Sequence, residues 1–186
     1  MDEEKNLFGE KTSVSENKSL EKLKNDLKEY DTSTLSERAS RLELIQELRD
    51  NHDLLIAVDF EGNYLFKECE KSYINGLFAS TIILTHGIID RILEGMLTSK
   101  GFQARGSKKR LDLIEQEKLM HPFLIKEIDK LRRKRNRFMH LVKHDDGMQL
   151  EDRMATSELN SPIHLIEKDA EFAIRLLYEF YSTGFS

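Results

Sequence analysis

The most apolar part of the chain is residues 64–99, and this segment limits the possible folds more than any other feature. From Leu77 to Leu97 it carries apolar side chains almost all round a helix, which is typical of the central helix of a bundle. Gly76 and Gly87 lie inside it, and a helical glycine costs about 1 kcal/mol relative to alanine, so we expect a neighbouring helix to approach closely there. The segment therefore predicts one long buried helix.

The rest of the chain also favours helices. Only two prolines, Pro122 and Pro162, interrupt its 186 residues, and 39% of the residues are hydrophobic, which is enough for a core. We predict an all-α protein, an up-and-down four-helix-type bundle with extra N-terminal helices. Residues 1–18 are polar and are expected to form a mobile tail, whereas residues 19–186 are expected to form a single helical domain.

Turn signals divide this domain into further helices. A first helix carries an apolar stripe, and residues 31–34 are expected to break it before a second helix with a capping box at Thr34 and Glu37. The stripe consists of Leu20, Leu23, Leu27 and Tyr30. Three more helices are expected after the central one, at residues 108–118, 122–145 and 163–181.

Several classes of protein are excluded by composition. The single cysteine, Cys69, cannot form an intrachain disulfide. The N-terminus is acidic with no apolar run behind it, so no signal peptide is predicted. Thr85, His86 and Asp90 interrupt the longest apolar stretch, so no membrane span is predicted either. We expect a cytoplasmic protein.

Basic residues are concentrated in one predicted helix, although the whole chain has a formal net charge of -5. They are Lys126, Lys130, Arg132, Arg133, Lys134, Arg135 and Arg137. A solvated helix face is the ordinary interpretation of such a run, and a surface that binds nucleic acid is the functional one.

Arg135 lies where an apolar residue is expected. It continues the seam formed on the same helix by Leu124, Ile128, Leu131, Phe138 and Val142. Because an unpaired buried charge costs several kcal/mol, Arg135 must be paired or must open into a polar cleft. The best acid is Asp90, which shares a face of the central helix with His86 and Glu94. An Asp90–Arg135 contact is compatible with a purely structural salt bridge and with support of a catalytic group.

Arg135, Asn136 and His140 together have the chemistry of an RNA-cleaving site. Asn136 and His140 are four residues apart and share a helix face, and a histidine can transfer a proton near neutral pH. His140 is suited to proton transfer as a ribose 2′-OH attacks the adjacent phosphate, Arg135 to stabilising the developing charge, and Asn136 to orienting an oxygen or the imidazole. The product is a 2′,3′-cyclic phosphate, and no metal or cofactor is required. The residues expected to bind RNA are Arg133, Lys134 and Arg137.

With these residues in view, the chain resembles the HEPN superfamily of small helical bundles over residues 60–180. Its signature is an arginine, four to six residues and a histidine, matched here by Arg135 and His140, and Asp90 lies where an acidic residue is common. The resemblance implies a homodimeric endoribonuclease that needs no metal and builds one cleft from two motif helices. It also implies a toxin or phage-defence role with an antitoxin or other inhibitor as partner. Val142 lies where members that are controlled by a nucleotidyltransferase antitoxin often have a tyrosine, so inhibition through modification of that tyrosine is not expected.

Two other interpretations remain open. His140, His144 and Asp145 form an incomplete set of metal ligands on one helix. Alternatively, the protein is a non-catalytic helical dimer that binds RNA, a nucleotide or a protein partner through its basic helix. The sequence carries no recognisable code for a particular RNA target.

Overall fold

Every regular element in the described part of the chain is a helix, so the predicted all-α bundle is confirmed. The computed structural model describes residues 14–52, 60–139, 153–155 and 161–183. The six longer helices are α1 (Val14–Asn51), α2 (Phe60–Ile74), α3 (Phe78–Ser99), α4 (Ser107–Gln116), α5 (Pro122–Met139) and α6 (Pro162–Thr183). Within these ranges no helix is long and apolar enough to cross a bilayer.

Helix α3 is the centre of the bundle, as its apolar sequence predicts. It packs against α2, α4, α5 and α6. Ile82, Ile89 and Leu93 have no exposed surface, and burial of each such side chain contributes about 1.5–3 kcal/mol. These four helices each cover part of α3, so the positions of their side chains depend on it.

The predicted single helix over residues 64–99 is wrong, because the chain turns between α2 and α3. Gly76 has a φ of +74°, which only glycine adopts without strain, and a Cβ there would lie 3.2 Å from Nη1 of Arg41. The amide of Leu77 donates to the carbonyl of Ser72 at 2.8 Å and closes the turn. The close approach predicted at Gly87 is also wrong, since a Cβ there meets nothing within 4 Å.

The last three helices agree with their predicted positions. Helix α4 covers residues 107–116, and α6 covers residues 162–183. Helix α5 begins at Pro122, where the missing N–H of proline costs no helical hydrogen bond. Its predicted end near residue 145 lies outside the described residues.

The chain divides into two units, residues 1–40 and 41–186, and α1 runs through the division. In the first unit, the predicted helix break at residues 31–34 is wrong. The hydroxyls of Thr32 and Thr34 donate to the carbonyls of Lys28 and Tyr30 at 2.8 and 2.9 Å, so these side chains bond within the helix instead of ending it. Most of the predicted tail, residues 1–13, lies outside the described residues, and α1 begins at Val14.

A buried carboxylate joins three helices of the second unit. Glu70 on α2 accepts two hydrogen bonds from Arg49 at the end of α1, at 3.0 and 2.6 Å. The hydroxyl of Tyr178 on α6 also donates to Glu70. Burial, reinforced by the hydrogen bond to Glu70, raises the pKa of Tyr178, so its hydroxyl keeps its proton and remains a donor.

Replacing Glu70 by glutamine is expected to lower the free energy of unfolding by about 1–3 kcal/mol, because two charge-assisted hydrogen bonds to a buried group weaken. Urea unfolding measures this loss. Glu68→Gln is the matched control, because the pair of Glu68 with the exposed Lys71 lies at the surface, and its loss should stay below about 0.5 kcal/mol. Equal losses in the two variants would contradict the role given to Glu70.

Candidate functional site

Helix α5 holds Arg135 and Asn136 of the predicted catalytic group, and all three residues that are predicted to bind RNA. Its first half is anchored by Leu124, Ile128 and Leu131, which are buried as predicted. The predicted seam is wrong at Phe138, which is 39% exposed. Val142, its last predicted member, lies outside the described residues. Beyond Leu131 the helix turns polar side chains toward its neighbours, and the site therefore occupies the polar half of α5.

Arg135 and Asn136 are held against each other on this half. Nη1 of Arg135 donates to Oδ1 of Asn136 at 3.0 Å, and both side chains are half-buried. In the part of the chain that the structure describes, the guanidinium of Arg135 makes no ion pair with a carboxylate. A part-buried arginine whose partner is a neutral amide keeps most of its capacity to bind an anion. His140, the third predicted catalytic residue, lies outside the described residues.

The expected contact between Asp90 and Arg135 is replaced by a different one. Oδ2 of Asp90 accepts a hydrogen bond from Arg110 of α4 at 2.8 Å, and Arg110 also pairs with Glu94 at 2.8 Å. The acids of α3 therefore face α4. The sequence does not reveal this pairing, because the position of Arg110 depends on where α4 begins, and residues 101–106 determine that. Asp90 is not placed to orient Arg135 directly, and the plain salt bridge between them is not formed.

His86 is a buried neutral histidine whose pKa is affected by the charge of Arg135. Its Nε2 lies 3.0 Å from Oγ of Ser107, the first residue of α4. Burial, followed by the positive charge of Arg135, lowers the pKa of His86 from 6.5 to about 4, against the opposing effect of Asp90. At neutral pH the region around Arg135 therefore holds an uncharged imidazole, and His86 acts as a satisfied core histidine.

Two of the three residues predicted to bind RNA belong to a buried charge cluster. The ammonium of Lys134 hydrogen-bonds Asp169 of α6, and Arg137 lies 3.9 Å from the same carboxylate. Arg153 donates to both oxygens of Asp169 at 2.6 and 2.9 Å. Burial lowers the pKa of Lys134, although its bond to Asp169 opposes the shift. Lys134 and Arg137 thus hold α5 against α6 in this structure.

Sequence reasoning missed this cluster, although a signal for it exists. Asp169 lies beside Ala170 on the core face predicted for the last helix, where an acid needs a cation. Pairing it correctly required the position of Arg153, which is far from α5 in sequence and belongs to a helical segment at residues 153–155. Charge pattern along one helix cannot supply such a contact.

Arg133, the third residue predicted to bind RNA, lies on the surface. Its side chain is 55% exposed and donates to Asp129 at 2.9 Å, while Arg132 donates to the other oxygen of Asp129 at 2.8 Å. Burial acts to raise the pKa of Asp129, but these hydrogen bonds outweigh it and lower the pKa. Of the predicted RNA contacts, Arg133 is therefore the one best placed to meet a large ligand.

The residues of the alternative metal site, His140, His144 and Asp145, lie outside the described residues. Within the described ranges, no group of three or more histidine, cysteine, aspartate or glutamate side chains has the arrangement of a metal site. No family model, curated protein sequence or solved structure shows significant similarity to this chain.

The low pKa of His86 predicts a particular pH dependence of stability. Between pH 6.5 and about 4 the unfolded chain binds a proton at His86 and the folded protein does not. Stability contributed by the neutral imidazole is therefore complete above pH 6.5 and is lost as the pH falls through this window, by up to about 3 kcal/mol. Urea unfolding from pH 7 to pH 4 measures the decline.

His86→Gln is expected to show a shallower decline over the same window, because glutamine does not titrate. The control is His164→Gln at an exposed position of α6, which should keep the decline of the unaltered protein. A His86→Gln variant that loses stability as steeply as the unaltered protein would show that His86 is not held neutral by the fold.

The charge cluster predicts a large effect of Asp169→Asn. Removing the charge leaves Lys134, Arg137 and Arg153 close together without the carboxylate that they share, which should cost about 2–4 kcal/mol of unfolding free energy. Asp112→Asn is the control, since its pair with Lys108 is exposed and should contribute less than about 1 kcal/mol. Thermal or urea unfolding measures both losses. An Asp169→Asn variant with an unchanged unfolding free energy would contradict the structural role of the cluster.

Proposed function

We propose that this protein is an endoribonuclease that cleaves RNA without a metal ion and leaves 2′,3′-cyclic phosphate ends. The observation that carries the proposal is the state of Arg135: it is half-buried, paired with the neutral Asn136 and near the neutral His86. A nearby carboxylate would satisfy the guanidinium and repel a phosphate. The one acid expected to do so, Asp90, pairs with Arg110 instead. Arg135 thus retains the capacity that phosphate binding requires.

The proposed reaction is an internal transfer at one phosphodiester. The ribose 2′-oxygen attacks the adjacent phosphorus as its proton passes to a base, and the bond from phosphorus to the 5′-oxygen breaks as that oxygen gains a proton. His140 is assigned the proton transfer, because an imidazole is balanced between its two forms near pH 7. Arg135 is assigned the charge that develops on the phosphoryl oxygens, and Asn136 the orientation of Arg135 and the phosphate.

A homodimer suits this chemistry because the reaction needs a base on one side of the phosphorus and an acid on the other. Two copies of His140, one from each chain, supply both. We assign RNA docking to Arg133, whose side chain is 55% exposed although it pairs with Asp129, and not to Lys134 and Arg137, which are largely buried beside Asp169. A role as a toxin or defence protein that is restrained by an inhibitor follows from the HEPN resemblance and belongs to the same proposal.

The proposal predicts that the purified protein cleaves a mixed RNA pool in EDTA and that His140→Ala lowers the rate by about a hundredfold or more. His164→Ala, on the exposed side of α6, is the matched control and should keep full activity. Arg135→Ala should lower the rate by a similar factor, because the charge of the transition state is no longer compensated, whereas Arg175→Ala should not.

The outcomes separate the three interpretations. Unaltered rates in His140→Ala would remove the proposed mechanism. Cleavage that EDTA abolishes would favour the metal site of His140, His144 and Asp145. RNA that is bound but not cleaved would favour the non-catalytic binding protein. Urea unfolding of each variant distinguishes a lost catalytic group from a lost fold.

A further inference from the structure

Two apolar side chains next to the candidate site are exposed. They are Phe138 and Met139 at the end of α5, which are 39% and 49% exposed. In the part of the chain that the structure describes, the ring of Phe138 contacts neither another aromatic ring nor a cation. An aromatic side chain that stays in water forgoes the free energy of its burial. A large part of Phe138 is therefore available to a ligand.

Helix geometry places Phe138 beside Arg135. Residues three apart on a helix share one face, with their Cβ atoms about 5–6 Å apart. A helical side chain also leans toward the N-terminus of its helix, so that of Phe138 lies over the turn that carries Arg135. Arg135 donates to the neutral Asn136 and makes no ion pair among the described residues. One face of α5 thus presents an aromatic ring next to a cation whose charge is not compensated.

This combination selects among the possible occupants of the face. A protein surface that covered Phe138 with apolar side chains would also bury Arg135, and a buried charge without a partner is strongly unfavourable. A nucleotide meets both requirements, because its phosphate pairs with a guanidinium and its base stacks on an aromatic ring. Bases can be turned outward to stack in a single strand, whereas in a duplex they are paired and stacked on each other.

We propose that Phe138 stacks on a base next to the phosphate that Arg135 binds, so that the protein takes single-stranded RNA as its substrate. This inference rests on the proposed function, because it concerns the substrate of the same site. Every base has a face that can stack, so the contact selects single strands and not one sequence. Phe138 accordingly contributes to the binding of RNA and is not a catalytic residue.

Binding of a single-stranded 2′-O-methyl RNA tests the proposal without cleavage, because its 2′-oxygens are blocked. Phe138→Leu keeps an apolar side chain without the ring and should raise the dissociation constant about tenfold, whereas Phe138→Trp should keep the affinity. The matched control is Phe123→Leu at the other end of α5, where the side chain is 53% exposed, and it should bind like the unaltered protein. Urea unfolding and sedimentation check that the fold and the assembly state are kept.

The contact is identified from the RNA side with a set of oligonucleotides that each lack one base. At one position, loss of the base should weaken binding to the unaltered protein about tenfold and leave binding to Phe138→Leu nearly unchanged, because the ring that the base contacts is already absent. At the other positions the two proteins should respond alike. The duplex of the same sequence should bind more weakly than the single strand and should not respond to Phe138→Leu.

Equal affinities of the unaltered protein and Phe138→Leu for the single strand would overturn the proposal. Base removal that has the same effect on both proteins at every position would also overturn it, because Phe138 would then support the fold or a protein contact. Cleavage is measured separately with unmodified RNA. Ring-dependent binding without cleavage would contradict the proposed function alone, and cleavage with a KM unchanged by Phe138→Leu would contradict this inference alone.

Discussion

The burial of α3 is the constraint on which the rest of the structure depends. A helix this apolar must be covered over most of its surface, and four helices of the second unit meet this need, while Gly87, Arg91 and Glu94 stay exposed. Because α4 and α5 both pack on α3, polar side chains of α3 come into contact with polar and basic residues of the neighbouring helices. The pairing of Asp90 with Arg110 and the contact of His86 with Ser107 are direct results.

The surroundings of Arg135 depend on which acidic residues pair with the neighbouring cations. Asp169 and Asp129 take up the cations on either side of Arg135, and the acids of α3 are taken up by Arg110. Arg135 is left with an amide as partner in the described part of the chain. In a helix so rich in positive charge, the residue that matters for anion binding is the one whose charge is not already compensated.

Sequence reasoning predicted the elements whose causes are local. The apolar character of α3, the start of α5 at Pro122 and the burial of Leu124, Ile128 and Leu131 all follow from short patterns. It failed at residues 31–34, where hydroxyls bond to the helix itself, and at Gly76, whose turn depends on its left-handed backbone. It also failed to pair Asp90 and Asp169, because their partners, Arg110 and Arg153, lie 20 and 16 residues away in sequence and on other helical segments, where a periodic pattern along one helix gives no information. The assignment of His140 stays a prediction.

In the proposed reaction the 2′-oxygen of the substrate is the nucleophile. His140 transfers its proton, and Arg135 compensates the charge that develops on the phosphoryl oxygens. The most direct measurement is cleavage in EDTA of an RNA oligonucleotide with a mapped cut site, compared with the same oligonucleotide carrying one 2′-deoxyribose on the 5′ side of that site. We expect cleavage at this position to disappear while other positions are still cut. Continued cleavage at the deoxyribose would contradict it, because hydrolysis would then proceed without the neighbouring hydroxyl.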